Sequence, residues 1–285
     1  MQTKMTLEPL QQKNSNTTFA VFTLYGDYLI PFCKGMAWTQ DLIYLLGLLG
    51  IPERTTRTTL NRMKNSGWFT VDRDGRQSRY ILTKSGRDVL EQGRQRIFEP
   101  ATVDWDEAWQ VVVYSLPEEL RAQRDEFRKK LVWFGFGSLA GGTWVAAHNR
   151  YDELSEIIVE LGIEEHVALF SSRCFGTMSN HDIVARCWDL TELGQQYQAF
   201  INTWQPRLDD FMDHHTESEL LSNPEFRYQE SLWLTFDFQP FPRIDPNLPV
   251  ALLPPDWSGH RARQIFEHYR QHLRLGLHDF FDAFN

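Results

Sequence analysis

The sequence predicts an α+β protein, and three observations carry that expectation. Two helix-period apolar stretches lead into a glycine-centred hairpin before residue 100, short strands alternate with helices from 109 to about 175, and long aromatic-striped helical stretches follow residue 182. At 285 residues, with 42% hydrophobic content that includes 10 Trp and 20 Phe, the chain can fill two or three globular cores. No apolar run of the roughly 18 residues needed to cross a bilayer is present, and the N-terminal MQTKMTLEPLQQKNSNTT has no basic-then-apolar leader pattern. A cytoplasmic protein is therefore expected. Cys33, Cys174 and Cys187 are widely spaced and include no CxxC pair, which suits a reducing compartment and offers neither a disulfide framework nor a cysteine metal site. No cofactor and no metal are expected.

The formal charge of −9 conceals a division along the chain. Residues 1–99 hold 14 Lys and Arg against 9 Asp and Glu, a net of +5, whereas the remainder is net −14. A basic part on an acidic protein points to a nucleic-acid partner for that part alone.

Residues 19–33, FAVFTLYGDYLIPFC, form an apolar segment expected to be a first helix, interrupted at Gly26 and ended near Pro31. TQDLIYLLGLLG follows, with Thr39 as the expected N-cap, Leu42, Leu45, Leu46 and Leu49 at helical spacing, and Gly50 as the stop. IPERTTRTTLNRMKNSG then places Pro52 in a first turn and Gly67 just past a helix end. Along this second helix Thr56, Leu60 and Met63 share one face, while Arg54, Arg57, Asn61 and Lys64 line the other, bordered by Thr58, Arg62 and Asn65, and Thr55 is also expected to contact DNA. Arginine and asparagine make paired hydrogen bonds to guanine and adenine edges, and lysine and threonine serve phosphates. After Glu53 no acid interrupts the stretch until Asp72.

WFTVDRDGRQSRYILT reads as two strands turning at Asp74-Gly75, with Trp68, Val71, Tyr80 and Leu82 inward and Arg73, Arg76 and Arg79 around the tip. A basic hairpin directly after a basic helix is the pattern of a winged helix-turn-helix, so residues 1–100 are expected to form a double-stranded-DNA-binding domain.

Several motifs in order resemble the PaaX-like regulators, the phenylacetic-acid-degradation repressor family. They are LYGDY (24–28), LLGLLGIPERTTRTTLNRMKNSGWF (45–69), GRQSRYILTKSG (75–86), RIFEP (96–100), WQVVVYSLPEELRAQRDEFRKKLVWFGFGSLAGGTWVA (109–146) and DPNLPVALLPPDWSGHRA (245–262). The resemblance covers nearly the whole chain. It implies a repressor released from operator DNA by an aryl-CoA thioester such as phenylacetyl-CoA.

Between 101 and 178 the order strand, helix, two strands split at Gly141-Gly142, helix, strand predicts a ferredoxin-like βαββαβ domain. Its glycines follow a helix and precede a strand, the reverse of a phosphate cradle. The domain is similar to small CRISPR-associated nucleases, but where those carry an acid at the end of the first strand this chain has Ser115, with Glu118 and Glu119 already in the next helix. A metal-dependent phosphodiesterase needs converging carboxylates, so a dimerisation or spacer role fits better than hydrolysis.

Residues 179–285 are expected to be mainly helical. An aromatic stripe runs through Trp188, Tyr197, Phe200 and Trp204 within a helical stretch 182–222. A connector holding 6 of the 13 prolines is expected to be extended, and a final helix after Ser258 carries Phe266, Tyr269, Leu273, Leu277 and Phe280 toward the core. Arg263, Arg270 and Arg274 align on its other side and are the candidate cations for the phosphates of a CoA effector. His268 and His272 sit at i, i+4 without a third ligand at recognisable spacing.

A homodimeric, effector-released repressor is thus the leading expectation. The alternatives are an enzyme, either a metal-dependent nuclease or a CoA-thioester hydrolase targeted by the winged helix, and a module that binds protein rather than DNA. No GxSxG or HExxH pattern supports the enzyme, and steep salt dependence would separate DNA from protein binding.

Overall fold

A computed structural model describes residues 17–98, 105–214 and 223–284. It is an α+β protein with two small antiparallel sheets. Its contacts group the chain into one unit of 1–99, 202–238 and 263–285 and another of 100–201 and 239–262.

In the first unit α1 (Thr17–Leu24) passes through a π-helical turn, Tyr25–Leu29, into α2 (Ile30–Cys33). The expected break at Gly26 does not occur, and Pro31 lies inside the first turn of α2 rather than ending the helix. The wider turn, in which the Ile30 amide bonds the Tyr25 carbonyl, lets the chain pass a residue that has no amide to donate. Lys34, at φ 55, ends the helix.

β1 (Met36–Trp38), unanticipated from the sequence, leads into α3 (Thr39–Gly47). Trp38 occupies the N-cap position of α3, and the Thr39 hydroxyl, expected to cap, instead donates to the Ser78 carbonyl at 2.7 Å. After Gly50, at φ 77, α4 (Glu53–Asn65) begins with Pro52 as its N-cap residue, and Gly67 at φ 82 follows its end. β2 (Phe69–Asp74) and β3 (Gln77–Leu82) form a hairpin around Gly75-Arg76, and β1 adds to β3. Phe69 and Leu82 are its buried residues, whereas Trp68, Val71 and Tyr80 are half-buried. α5 (Lys84–Phe98) closes this part.

Beneath α1, α3 and α4 lies one core in which Val21, Leu24, Tyr28, Leu42, Leu45, Leu60 and Met63 meet Tyr228, Leu232, Leu277 and Phe281 from far down the chain. Those late residues come from α10 (Pro224–Phe238) and α13 (Leu277–Asp282).

The second unit holds a four-stranded antiparallel sheet made of β4 (Trp109–Tyr114), β5 (Gly137–Ala140), β6 (Thr143–Ala146) and β7 (Val167–Ser172), ordered β5-β6-β4-β7. On one face lie α6 (Arg121–Trp133) and α7 (Tyr151–Leu161), packing Phe127, Leu131, Leu154 and Ile157 on Val112 and Trp144. The other face packs Trp109 and Val145 against Ile183 and Val184 of α8 (Asn180–Cys187) and against Leu248 and Leu252. A Cβ on Gly137 would fall 2.5 Å from the Cys187 Cβ, so only glycine lets β5 approach α8 this closely. Ser179 and Asp182 form a capping box at the start of α8.

The aromatic stripe expected over 182–222 breaks at Trp188, which ends α8 in an extended conformation and stacks on Trp109 at 6.2 Å. Tyr197, Phe200 and Trp204 do lie buried on α9 (Leu190–His214), and residues 215–222 fall outside the described ones. The proline-rich connector is not uniformly extended: α11 (Phe241–Ile244) takes Pro242 into its first turn, and Val250–Leu252 form a 3₁₀ turn. Proline is tolerated there because first-turn amides have no intrahelical partner. The expected single last helix is two, α12 (Ser258–Leu273) and α13, separated by Gly276 at φ 72. On α13 Leu277 and Phe281 are fully buried, whereas Phe280, expected in the core, is half-buried.

α10 has only Glu225 exposed, so it buries polar side chains as well. Glu230, at 0% exposure, accepts from Arg207 Nη1 at 2.7 and 2.9 Å and from the Tyr269 hydroxyl at 3.2 Å. Burial pushes the Glu230 carboxyl above its usual range, and Arg207 opposes that shift. Removing one partner of a buried pair strands the other charge. Arg207→Ala is therefore expected to lower unfolding free energy by about 3–5 kcal/mol, read from urea denaturation at neutral pH.

Candidate nucleic-acid interface

The face of α4 predicted to read bases is the exposed one. Thr56, Thr59, Leu60 and Met63 are buried, and Arg54, Thr55, Arg57, Thr58, Asn61, Arg62 and Lys64 all face outward. Thr56 brings its hydroxyl into the core, where it has no hydrogen-bond partner among the described residues. Arg57 pairs with Glu53 at 2.8 Å, one turn back. Both side chains are about half exposed, and such pairs contribute at most about 1 kcal/mol, so a phosphate or base can displace Glu53. Arg62 donates to the Thr18 hydroxyl of α1, and the Thr58 hydroxyl donates back to the Arg54 carbonyl at 2.9 Å. Arg54, Asn61 and Lys64 have no side-chain partner among the described residues.

The hairpin divides its three arginines. Arg73 and Arg76 are exposed near the turn, where Asp74 and Gln77 pair across Gly75-Arg76 and Gly75 adopts φ 58. Arg79 is half-buried and serves the hairpin itself, with its guanidinium 5.2 Å above the Trp38 indole and donating to Asp72 at 3.3 Å across the strands. Between hairpin and helix lies a cleft of about 180 Å³ lined by Trp38, Thr39, Asp41, Arg57, Arg76 and Gln77. Arg57 of α4 and Arg76 of the hairpin thus border one concavity, a juxtaposition that separate readings of helix and hairpin do not reveal.

The arginines Arg263 and Arg270 of α12 and Arg274 just past its end do not form an open cationic face. Arg263 lies over the Phe238 ring at 5.5 Å and pairs with Glu267 at 3.4 Å. Arg270 reaches the Asp27 carboxylate at 3.5 Å, and Arg274 donates to the Asp27 carbonyl at 3.1 Å while covering Tyr28 at 5.1 Å and Phe32 at 5.6 Å. Burial lowers the Arg270 pKa from the ordinary guanidinium value, and Asp27 opposes this. His268 and His272 face each other with their Nε2 atoms 3.1 Å apart. Among the described residues His278, Asp279 and Asp282 also gather, all exposed. In the four-stranded sheet, Ser115 is exposed just past β4, and Glu118 is paired with Arg121 at 3.5 Å and Arg124 at 3.2 Å.

Three family models match in series: PaaX-like protein over residues 16–86, PaaX protein central Cas2-like domain over 102–184, and PaaX-like protein C-terminal domain over 188–283. The transcriptional repressor PaaX of Escherichia coli (strain K12) is 31% identical over 252 residues, covering 87% of this chain and 77% of that protein. The chain belongs to the PaaX-like family. Among solved structures, the uncharacterized protein Rv0674 from Mycobacterium tuberculosis superimposes with a TM-score of 0.60 over 93% of this chain and 97% of its own, at 21% identity, a likeness of fold alone. The first PaaX-like match spans α1 through β3 and so contains the whole basic face. No helix among the described residues is long and apolar enough to cross a membrane.

Because Arg79 packs on Trp38 while Arg73 and Arg76 project, the three are expected to separate in stability. Arg79→Ala should lower unfolding free energy by about 1 kcal/mol through the lost cation–π contact. Arg73→Ala and Arg76→Ala should stay within about 0.5 kcal/mol of the parent in the same urea titration.

Proposed function

We propose that this chain is a sequence-specific DNA-binding transcriptional repressor of an aromatic-acid, phenylacetate-type catabolic operon. The observation that carries the reading is the uninterrupted exposed face Arg54, Thr55, Arg57, Thr58, Asn61, Arg62 and Lys64, set beside Arg73 and Arg76 in a chain whose relative is named a transcriptional repressor. α3 and α4 act as a helix-turn-helix and the β2–β3 hairpin as its wing. α4 enters the major groove, and the wing arginines meet the adjacent backbone, with Arg79 holding the wing in shape. The β5-β6-β4-β7 order is the one a ferredoxin-like βαββαβ domain adopts, which supports that reading of 101–178. Residues 1–100, 101–178 and 179–285 are taken as the DNA-binding, central and C-terminal parts.

A cytoplasmic homodimer on inverted half-sites follows from this role, since a two-fold protein matches a two-fold operator. The effector is an aryl-CoA thioester such as phenylacetyl-CoA, and Arg263, Arg270 and Arg274 are the cations assigned to its phosphates. The contacts of Arg270 and Arg274 with Asp27 give that assignment a means of release. A phosphate that draws either guanidinium away changes how the π-helical turn after α1 is held, so the ligand favours one arrangement over the other, as release requires. Hydrolysis is not part of the proposal: the sequence offers no carboxylate at the end of β4, and Glu118 is engaged by two arginines.

The test is a titration of the full chain against its own upstream DNA and a scrambled duplex across salt, with and without phenylacetyl-CoA. Operator-selective binding that falls steeply with salt and is relieved by the thioester is expected; equal affinity for both duplexes would overturn the repressor reading. Asn61→Ala should lose about 1–3 kcal/mol of operator discrimination, while Arg76→Ala should weaken both duplexes alike and lower the salt slope by about 1.

A further inference from the structure

The DNA-reading helices are held by residues two hundred positions away. Asp27, 5% exposed in the π-helical turn, accepts from the Thr235 hydroxyl at 3.2 Å and pairs with Arg270 at 3.5 Å, while its carbonyl accepts from Arg274 at 3.1 Å. Pro31, four residues on, has no amide to offer that carbonyl. Next along the turn, the Tyr28 hydroxyl donates to Ser231 at 2.7 Å. α10 reaches α3 as well: Tyr228 donates to the Leu45 carbonyl at 3.3 Å, Gln229 donates to the Leu48 carbonyl, and Glu225 accepts from Tyr44. α4 completes the chain of contacts, because Arg62 bonds Thr18 of α1 and Leu60 and Met63 share a core with Val21 and Leu24.

Apolar packing alone tolerates small slides and rotations, whereas polar contacts at five residues, Asp27 and Tyr28 of the π-helical turn and Tyr44, Leu45 and Leu48 of α3 and its end, fix direction as well as distance. Buried polar pairs contribute little net stability compared with apolar groups of the same size, so their effect here is on orientation. We infer that Asp27, Arg270, Arg274 and Tyr228 are positioning residues for operator recognition: they touch no DNA, and they set the angle at which α4 meets the groove. The inference rests on α4 being the DNA-reading helix.

Two variants of the full chain test it. Asp27→Asn combined with Arg270→Met removes both charges of that pair together, and Tyr228→Phe removes one hydroxyl while keeping the ring. Each is titrated with operator and scrambled duplexes at several salt concentrations, after circular dichroism has established parental helicity. The operator-to-scrambled affinity ratio is expected to fall about ten-fold in the double variant and about three-fold in Tyr228→Phe, with the salt slope unchanged because no phosphate contact is lost. Arg270→Lys, which keeps the cation near Asp27, should restore most of the ratio. Parental ratios in both folded variants would overturn the inference; should the double variant not fold, Tyr228→Phe decides alone. A parent protein with no operator preference would instead overturn the reading of α4 itself.

Discussion

One missing amide organises the N-terminal part of this protein. Pro31 cannot donate to the Asp27 carbonyl, and an α-helix through that point would also set the proline ring against it. The chain widens into a π turn, and both the carbonyl and the carboxylate of Asp27 become acceptors for cations brought from α12 and its end. Turns of this kind are rare and concentrate where a side chain must be aimed out of helical register. Here the aimed groups are Asp27 and Tyr28, and each finds its partner on helices more than two hundred residues later.

The helix that receives them is enclosed on nearly every side. α10 carries Tyr228, Leu232, Leu234 and Phe238 beside Glu230, Ser231 and Thr235, all buried. A helix that serves as a hub cannot show one apolar stripe, because its polar positions also face protein. Its charges are admissible only through partners: Arg207 and Tyr269 for Glu230, and the Leu275 carbonyl for Arg227. The Tyr269 hydroxyl is driven far above its usual titration range, by burial first and the Glu230 charge second, so it remains a donor at any pH the folded protein meets.

That enclosure explains what could and could not be read from the sequence. α4 was legible because one face is core and the other solvent, so Thr56, Leu60 and Met63 separated from the basic residues at helical spacing. The central sheet was legible because its strands are short, separated by glycines and followed by amphipathic helices. β1 was not, since three residues between two helices give no alternation to count. Trp188 looked like part of a helical stripe because its spacing fits one; its stacking on Trp109 belongs to a different core and leaves no local trace. For the same reason Arg263, Arg270 and Arg274 looked like a solvent-facing row. Spacing shows that side chains share a face, but not whether solvent or another helix covers it.

The same buried contacts bear on how a ligand and DNA can influence each other. Coupling between two sites requires a structural element that both bias, and distance along the sequence is no obstacle when that element is shared. α10 and the part of α12 from Arg263 onward belong to the contact unit that contains α4, and their polar groups bond the π-helical turn and α3 directly. A change at Arg270 or Arg274 is therefore already a change within the unit that carries the basic face, with no relay needed. The charge division points the same way. The exposed cations of α4 and the hairpin remain available to a polyanion, whereas Arg207, Arg270 and Arg274 are drawn inward by Glu230 and Asp27. In the proposed repressor, cations that face outward set affinity for DNA, and cations that face inward set the shape that affinity acts through.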